Sequence, residues 1–217
     1  MSPFPPEPPR DCPLCPRLVA YRAENQAAHP DWWNGPAPSF GDPNARLLIA
    51  GLAPGRTGAN RTGRPFTGDG AGIILYETLK KTGFARGHYD PDGNDDLELV
   101  NCMITNAVRC APPLNKPLPV EEATCRPFLK TRLAELPRLK VIVTLGDVSR
   151  RSILKTLGLP GTAIPPGHGV EGQVAGYTLI NSYHCSRLNT NTGRLTAAMF
   201  EEIFDRAKAA IANSGDD

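Results

Sequence analysis

Four short apolar runs stand out along the chain: Arg46 to Ala53, Glu98 to Ile104, Lys140 to Leu145 and Tyr177 to Tyr183. Runs of this length without strict alternation suit strands buried on both faces, as in a parallel sheet. A loop and a helix-like stretch follow each of them, at about 71–82, 119–136, 147–157 and 195–213. Pro16 to Ala28 also reads as helical, with Pro16 suited to the first helical position and a break at His29-Pro30. The alternation predicts an α/β fold, a three-layer open sheet of about four parallel strands with helices on both faces. Ligands of such sheets bind beyond the carboxyl ends of the strands, so chemistry is sought in the loops that leave them.

Composition adds boundaries to this picture. At 217 residues the chain suits one domain, taken as 11–217, after a proline-rich stretch over 1–10 that reads as a mobile tail. Its 23 prolines and 21 glycines imply much loop, and a net charge of +2 neither demands nor forbids a polyanionic partner. The N-terminus lacks a basic stretch followed by an apolar one, and no run is long enough to span a membrane, so a cytoplasmic protein without a membrane partner is expected. In that compartment the six cysteines are better read as metal ligands, catalytic groups or buried small residues than as disulfides.

The first strand runs into GLAPGRTGANRTGRPFTGDGAG, residues 51–72. Glycines such as Gly51 and Gly55, with the small Ala53 and Pro54, let backbone approach a ligand closely. The loop is not a phosphate-binding P-loop, because Arg64 and Pro65 follow Gly63 where lysine and a hydroxyl residue are required. Nor is it a dinucleotide fingerprint, because Gly68, Gly70 and Gly72 are mis-spaced and too far downstream. Phe66 suits either stacking on a planar base or plugging the core. Asp69, just ahead of a helix, can cap it, and a capped aspartate stays ionised and able to orient water or stabilise a cationic sugar.

The last strand leads into SYHCSRLNTNTGRLT, residues 182–196. His184 falls at the strand end, and Ser186, Arg187, Asn189 and Arg194 can each bind phosphate oxygens around an apolar wedge candidate, Leu188. The cysteines form two pairs, Cys12 with Cys15 and Cys110 with Cys125. Four thiolates hold either zinc or an iron-sulfur cluster, and the wide second spacing disfavours zinc. Cys102 reads as core packing. Cys185 is a weak nucleophile candidate, because adjacent side chains on extended backbone point apart.

The blocks GLAPG, NRTGRPFTGD, NAVRCAPPLNKP and HCSRLNTNTGRLT together resemble the family-5, or b-type, iron-sulfur uracil-DNA glycosylases, over essentially Cys12 to the C-terminal helix. The resemblance implies a uracil-glycosylase-type fold and a 4Fe-4S cluster on Cys12, Cys15, Cys110 and Cys125. It implies a monofunctional base-excision repair enzyme that hydrolyses the N-glycosidic bond of a flipped uracil in double- or single-stranded DNA. The range extends to hypoxanthine and xanthine, and a monomer is expected. Gly51, Ala53, Pro54 and Gly55 then belong to the substrate-binding first motif, with Phe66 stacked on the base and Asn106 reading it. Asp69 is the catalytic acidic residue, His184 hydrogen-bonds the base carbonyl, Leu188 intercalates, and Asn115 matches an asparagine implicated in function.

Departures accompany the agreements. Leu52-Ala53-Pro54 stands where the best-known uracil-specific enzymes carry a water-activating polar residue, Thr57 where family-5 members often have histidine, and Cys185 and Arg187 where many superfamily members have prolines. Two other classes compete: a damage-sensing binding protein without turnover, and an iron-sulfur redox protein, which leaves the glycine-rich loop and the His184 motif unexplained.

Overall fold

The computed structural model describes residues 4–68 and 70–215. In chain order it holds helix α1 (Pro16–Ala28), strands β1 (Phe40–Gly41) and β2 (Leu47–Gly51), helices α2 (Ala59–Thr62) and α3 (Gly70–Thr82), and strands β3 (Ala85–Arg86), β4 (Glu98–Leu99) and β5 (Cys102–Asn106). A 3-10 turn over Pro113–Asn115 precedes helix α4 (Pro119–Ala134), strand β6 (Val141–Leu145), helix α5 (Asp147–Thr156), strands β7 (Glu171–Val174) and β8 (Tyr177–Ser182), and helices α6 (Arg187–Asn191) and α7 (Ala197–Asn213).

The main sheet has the order β1-β5-β2-β6-β8-β7. Its four inner strands are parallel, as the apolar runs predict, and β1 and β7 flank them antiparallel. Every residue of β2, β5 and β6 is buried, which is why these strands show apolar runs and no alternation. Alternate side chains nevertheless serve opposite layers. Leu47 and Ile49 pack with Leu75 and Leu79 of α3 and Phe200 and Phe204 of α7, whereas Leu48 and Ala50 pack with Leu129 and Leu133 of α4 and Ile153 of α5. The result is an α/β/α sandwich with the loops that leave β2, β5, β6 and β8 at its carboxyl edge.

Two expectations differ from the structure. The run Glu98 to Ile104 is not one strand. Asn101 turns at φ 53° and its side-chain oxygen accepts from Arg46 N at 2.9 Å, which separates β4, paired with β3, from β5 in the main sheet. The proline-rich N-terminus over residues 4–10 is not a free tail. The Phe4 ring meets Phe128 edge-on at 5.2 Å, Glu7 bridges Arg109 at 2.8 Å and Arg132 at 2.6 Å, and Arg10 lies 4.2 Å over the Trp33 ring.

Arg109 explains the docking. Its side chain is 1% exposed, and burial pulls its pKa down while Glu7 opposes the shift, so the tail supplies the counter-charge for an interior cation. Glu7 is itself partly exposed, so the pair is worth less than a fully buried one. Glu7→Gln is expected to cost about 1.5 kcal/mol, seen in thermal denaturation as a melting temperature lower by about 4 °C. An unchanged melting temperature would mean that Ser39 and the backbone carbonyls suffice for Arg109.

Candidate active site

The loops leaving β2, β5 and β8 enclose one cavity of ≈ 530 Å³, lined among others by Ala53, Pro54, Gly55, Phe66, Asn106, Asn115, His184, Ser186 and Arg187. Its size falls in the range of small-molecule sites and fits one heterocyclic base with its sugar. Asn106 closes β5 and is buried, while Asn115 comes from the 3-10 turn downstream of the same strand. Thr57 also lines the cavity.

Gly51 is required by the packing of its neighbours. A Cβ there would run into Asn106 Oδ1 and come within 3.0 Å of Phe66 Cζ, so the bare backbone lets both side chains reach the cavity floor. Phe66 both packs against the core and lines the cavity, so one face of the ring is a plug and the other is open to the cavity. Its centroid lies 6.1 Å from that of His184, with ring planes inclined by 30°.

Phe66 holds φ at 57°, a region phenylalanine seldom adopts, so neighbouring groups must fix the turn. Tyr89 Oη donates to the Phe66 carbonyl at 3.1 Å, and Tyr76 Oη donates to the Pro65 carbonyl at 2.6 Å. Beside them the Arg64 guanidinium lies 5.2–5.8 Å from the Phe40, Tyr76 and Tyr89 rings and grips both oxygens of Asp95 at 2.6 Å. That grip holds the Asp95 carboxyl down at about 2 although burial opposes it. Sequence reasoning missed Arg64, Tyr76, Tyr89 and Asp95 as a set, because only folding brings them under Phe66.

The His184 loop is built from within. Tyr183 N donates to His168 Nδ1 at 3.2 Å, and Asn189 Nδ2 donates to the His184 carbonyl at 2.7 Å. Asn189, expected on phosphate, therefore uses its N–H inside the loop. Ser186 and Arg187 reach the cavity, with the Arg187 side chain lying across Gly70, where a Cβ would collide with it. Arg194 stacks 4.5 Å over the Tyr183 ring, and Leu188 is 73% exposed at the start of α6. Cys185 is buried in the core between sheet and helices and does not line the cavity, and burial raises the pKa of the equally buried Cys102 thiol.

Asp69 lies outside the described residues. Its chain neighbours Gly68 and Gly70 both line the cavity, and among the described lining residues there is no carboxylate.

Cys12, Cys15, Cys110 and Cys125 line a second pocket, with Leu18, Val108 and Phe128 as apolar packing. Cys12 and Cys15 lie just ahead of α1, Cys110 follows β5, and Cys125 lies on α4. Burial pushes the Cys110 thiol up to about 12 and the Cys125 thiol up to about 11, with neighbouring cysteines adding to the rise. Arg22 Nη1 donates to Cys110 Sγ at 3.9 Å, and Arg109 opposes the rise at Cys125. Among the described residues no three His, Cys, Asp or Glu side chains are drawn close enough to form a ready metal-binding group. Ala53, which lines the substrate-side cavity, also packs on this cysteine cluster, so the two sites share a wall.

The comparisons with known proteins agree with this geometry. The family model described as "Uracil DNA glycosylase superfamily" matches residues 38–208. A type-5 uracil-DNA glycosylase of Thermus thermophilus is 46% identical over 203 residues, which is 91% of this chain and 92% of the relative. One from Pyrobaculum aerophilum is 40% identical, over 92% and 88% of the two chains. A type-4 uracil-DNA glycosylase of Thermotoga maritima is 30% identical over 81% of this chain and 82% of its own. The chain belongs to the uracil-DNA glycosylase superfamily, and within it to the type-5 uracil-DNA glycosylases.

Proposed function

We propose that this protein removes uracil from DNA by hydrolysing the N-glycosidic bond of a flipped nucleotide, leaving an abasic site, and that it accepts hypoxanthine and xanthine as well. The observation that carries the proposal is one cavity at the carboxyl edge of the sheet that gathers an aromatic platform, two amides and a histidine beside an exposed leucine. Flipping costs a few kcal/mol and is cheapest for a mispaired base such as uracil opposite guanine.

In the reaction Phe66 stacks on the extruded base, while Asn106 and Asn115 face its polar edges. As the bond breaks, positive charge develops on the sugar and negative charge on the departing base. His184 donates a hydrogen bond to the base carbonyl that gains charge, and Asp69 stabilises the cationic sugar and orients the attacking water. Apolar Leu52, Ala53 and Pro54 along the first motif make few directional demands, which favours a broad base range. Arg187 and Arg194 neutralise phosphates on either side of Leu188, which fills the gap in the duplex.

Cys12, Cys15, Cys110 and Cys125 would hold a 4Fe-4S cluster. The donor set fits: four thiols share an apolar pocket, with Arg22 and Arg109 nearby to balance the charge of thiolates. Held by these four cysteines, such a cluster would cross-link the N-terminal segment to the segment from Cys110 to Cys125. Through Ala53 and the turn that carries Asn115, this support extends to the cavity wall.

The test is single-turnover release of free base from a uracil-guanine duplex by purified full-length protein, with iron and visible absorbance measured on the same sample. Release by protein carrying about four irons per chain supports both parts. No release from uracil, hypoxanthine or xanthine substrates by cluster-loaded protein would overturn the enzymatic reading, and full release without iron would separate activity from the cluster.

A further inference from the structure

We propose that Leu114 is a second wedge, entering the DNA duplex from a different loop than Leu188 does. Two leucines are the most exposed large apolar side chains among the described residues, Leu114 at 86% and Leu188 at 73%, ahead of Val120 at 64%. Each adjoins a residue of the cavity wall, Asn115 in one case and Arg187 in the other. Each apolar tip is therefore one residue along the chain from the cavity wall.

The backbone points to a role for the Leu114 side chain. Leu114 sits at φ 57°, ψ 21°, and Asn115 follows at φ 55°, so two consecutive residues with side chains occupy the left-handed region. Leucine disfavours that region and glycine adopts it freely. No packing compensates at Leu114, because the side chain is almost wholly in solvent. The turn is nonetheless firmly made: Asn115 N donates to the Pro112 carbonyl at 3.1 Å, Lys116 N to the Pro113 carbonyl at 3.2 Å, and Arg17 Nη2 to the Lys116 carbonyl at 3.1 Å. Prolines at 112 and 113 restrict it further.

A stiff, exposed apolar tip beside a base-sized cavity, with exposed Lys116 next to it for a phosphate, fits insertion into a base step. Two tips on separate loops do complementary work: one fills the space the flipped nucleotide leaves, and the other parts the neighbouring stack. The inference rests on the proposed action on duplex DNA.

Leu114→Gly is the informative variant, because glycine suits φ 57° and keeps the turn, so its melting temperature should not fall. Cluster-loaded wild type and variant are compared for single-turnover uracil release from a uracil-guanine duplex and from the same strand alone. The expected result is a loss of about tenfold or more on duplex with less than about twofold change on single strands. Pairing it with Leu188→Ala should deepen the duplex loss, and 2-aminopurine placed beside uracil should brighten less on binding. Wild-type rates on duplex, or equal losses on both substrates, would overturn the wedge while leaving base release intact. A change in sedimentation from dimer to monomer would overturn it in favour of self-association. If wild type releases base from neither substrate, the functional reading fails first.

Discussion

Single-turnover base release by Asp69→Ala protein is expected to fall by about a thousandfold, while affinity for uncleaved duplex holds level or rises. The transition state carries a cationic sugar, yet among the described residues lining the cavity the fixed formal charge is the cation of Arg187, which cannot stabilise it. Asp69 is the candidate anion, because its chain neighbours Gly68 and Gly70 both line the cavity. Removing an anion from a surface that meets phosphates should not weaken binding. Quenched-flow release of free base, with binding measured on a non-cleavable duplex, checks both halves. Release within about threefold of wild type would move the catalytic role to His184 or to an asparagine.

Much of the fold is legible in the sequence because three of the four central strands are buried on both faces throughout, and the fourth over most of its length. Leu47 to Gly51 is apolar throughout, and Val141 to Leu145 is apolar but for Thr144, whose hydroxyl donates to Asn181 Oδ1 at 2.9 Å. The edge strands are not legible for the converse reason. Phe40–Gly41 is only two residues long, and Glu171–Val174 reads Glu-Gly-Gln-Val, which an edge tolerates and a core does not. The docked N-terminus was hidden by composition: prolines suggest a tail, whereas Glu7 is held by Arg109 and Arg132, more than 100 residues away.

The site divides in the same way. Glycines, Phe66 and the His184 motif lie in contiguous blocks, so their association with strand ends can be read in order. The supports of Phe66 cannot. Arg64 and Asp95 are 31 residues apart, and Tyr89 reaches the Phe66 carbonyl across 23. Asn189 looks like a phosphate ligand by type, and only the geometry reveals that its amide N–H secures the backbone of His184.

Gly72→Ala should lower stability and base release together, against the usual sign for this exchange. In the first turn of a helix such as α3, alanine in place of glycine ordinarily stabilises by about 1 kcal/mol. Here an added Cβ would drive into the Phe66 carbonyl oxygen and the Tyr89 hydroxyl. The hydroxyl can swing away. The carbonyl belongs to a turn at φ 57° whose flanks are tied by Tyr76 and by the Arg64–Asp95 pair, so it cannot retreat without moving the Phe66 ring. Overpacking against so fixed an atom costs about 3 kcal/mol or more, which exceeds the helix gain and leaves a net loss of about 2 kcal/mol. The melting temperature should drop by about 4–8 °C, and displacement of Phe66 by even about 1 Å should slow release about a hundredfold. Gly161→Ala supplies the control, because its Cβ would meet Arg151 at an ordinary 3.5 Å and should change neither quantity. A Gly72→Ala protein that melts higher than wild type and releases uracil at the same rate would show that the turn yields, and that Phe66 needs no fixed position.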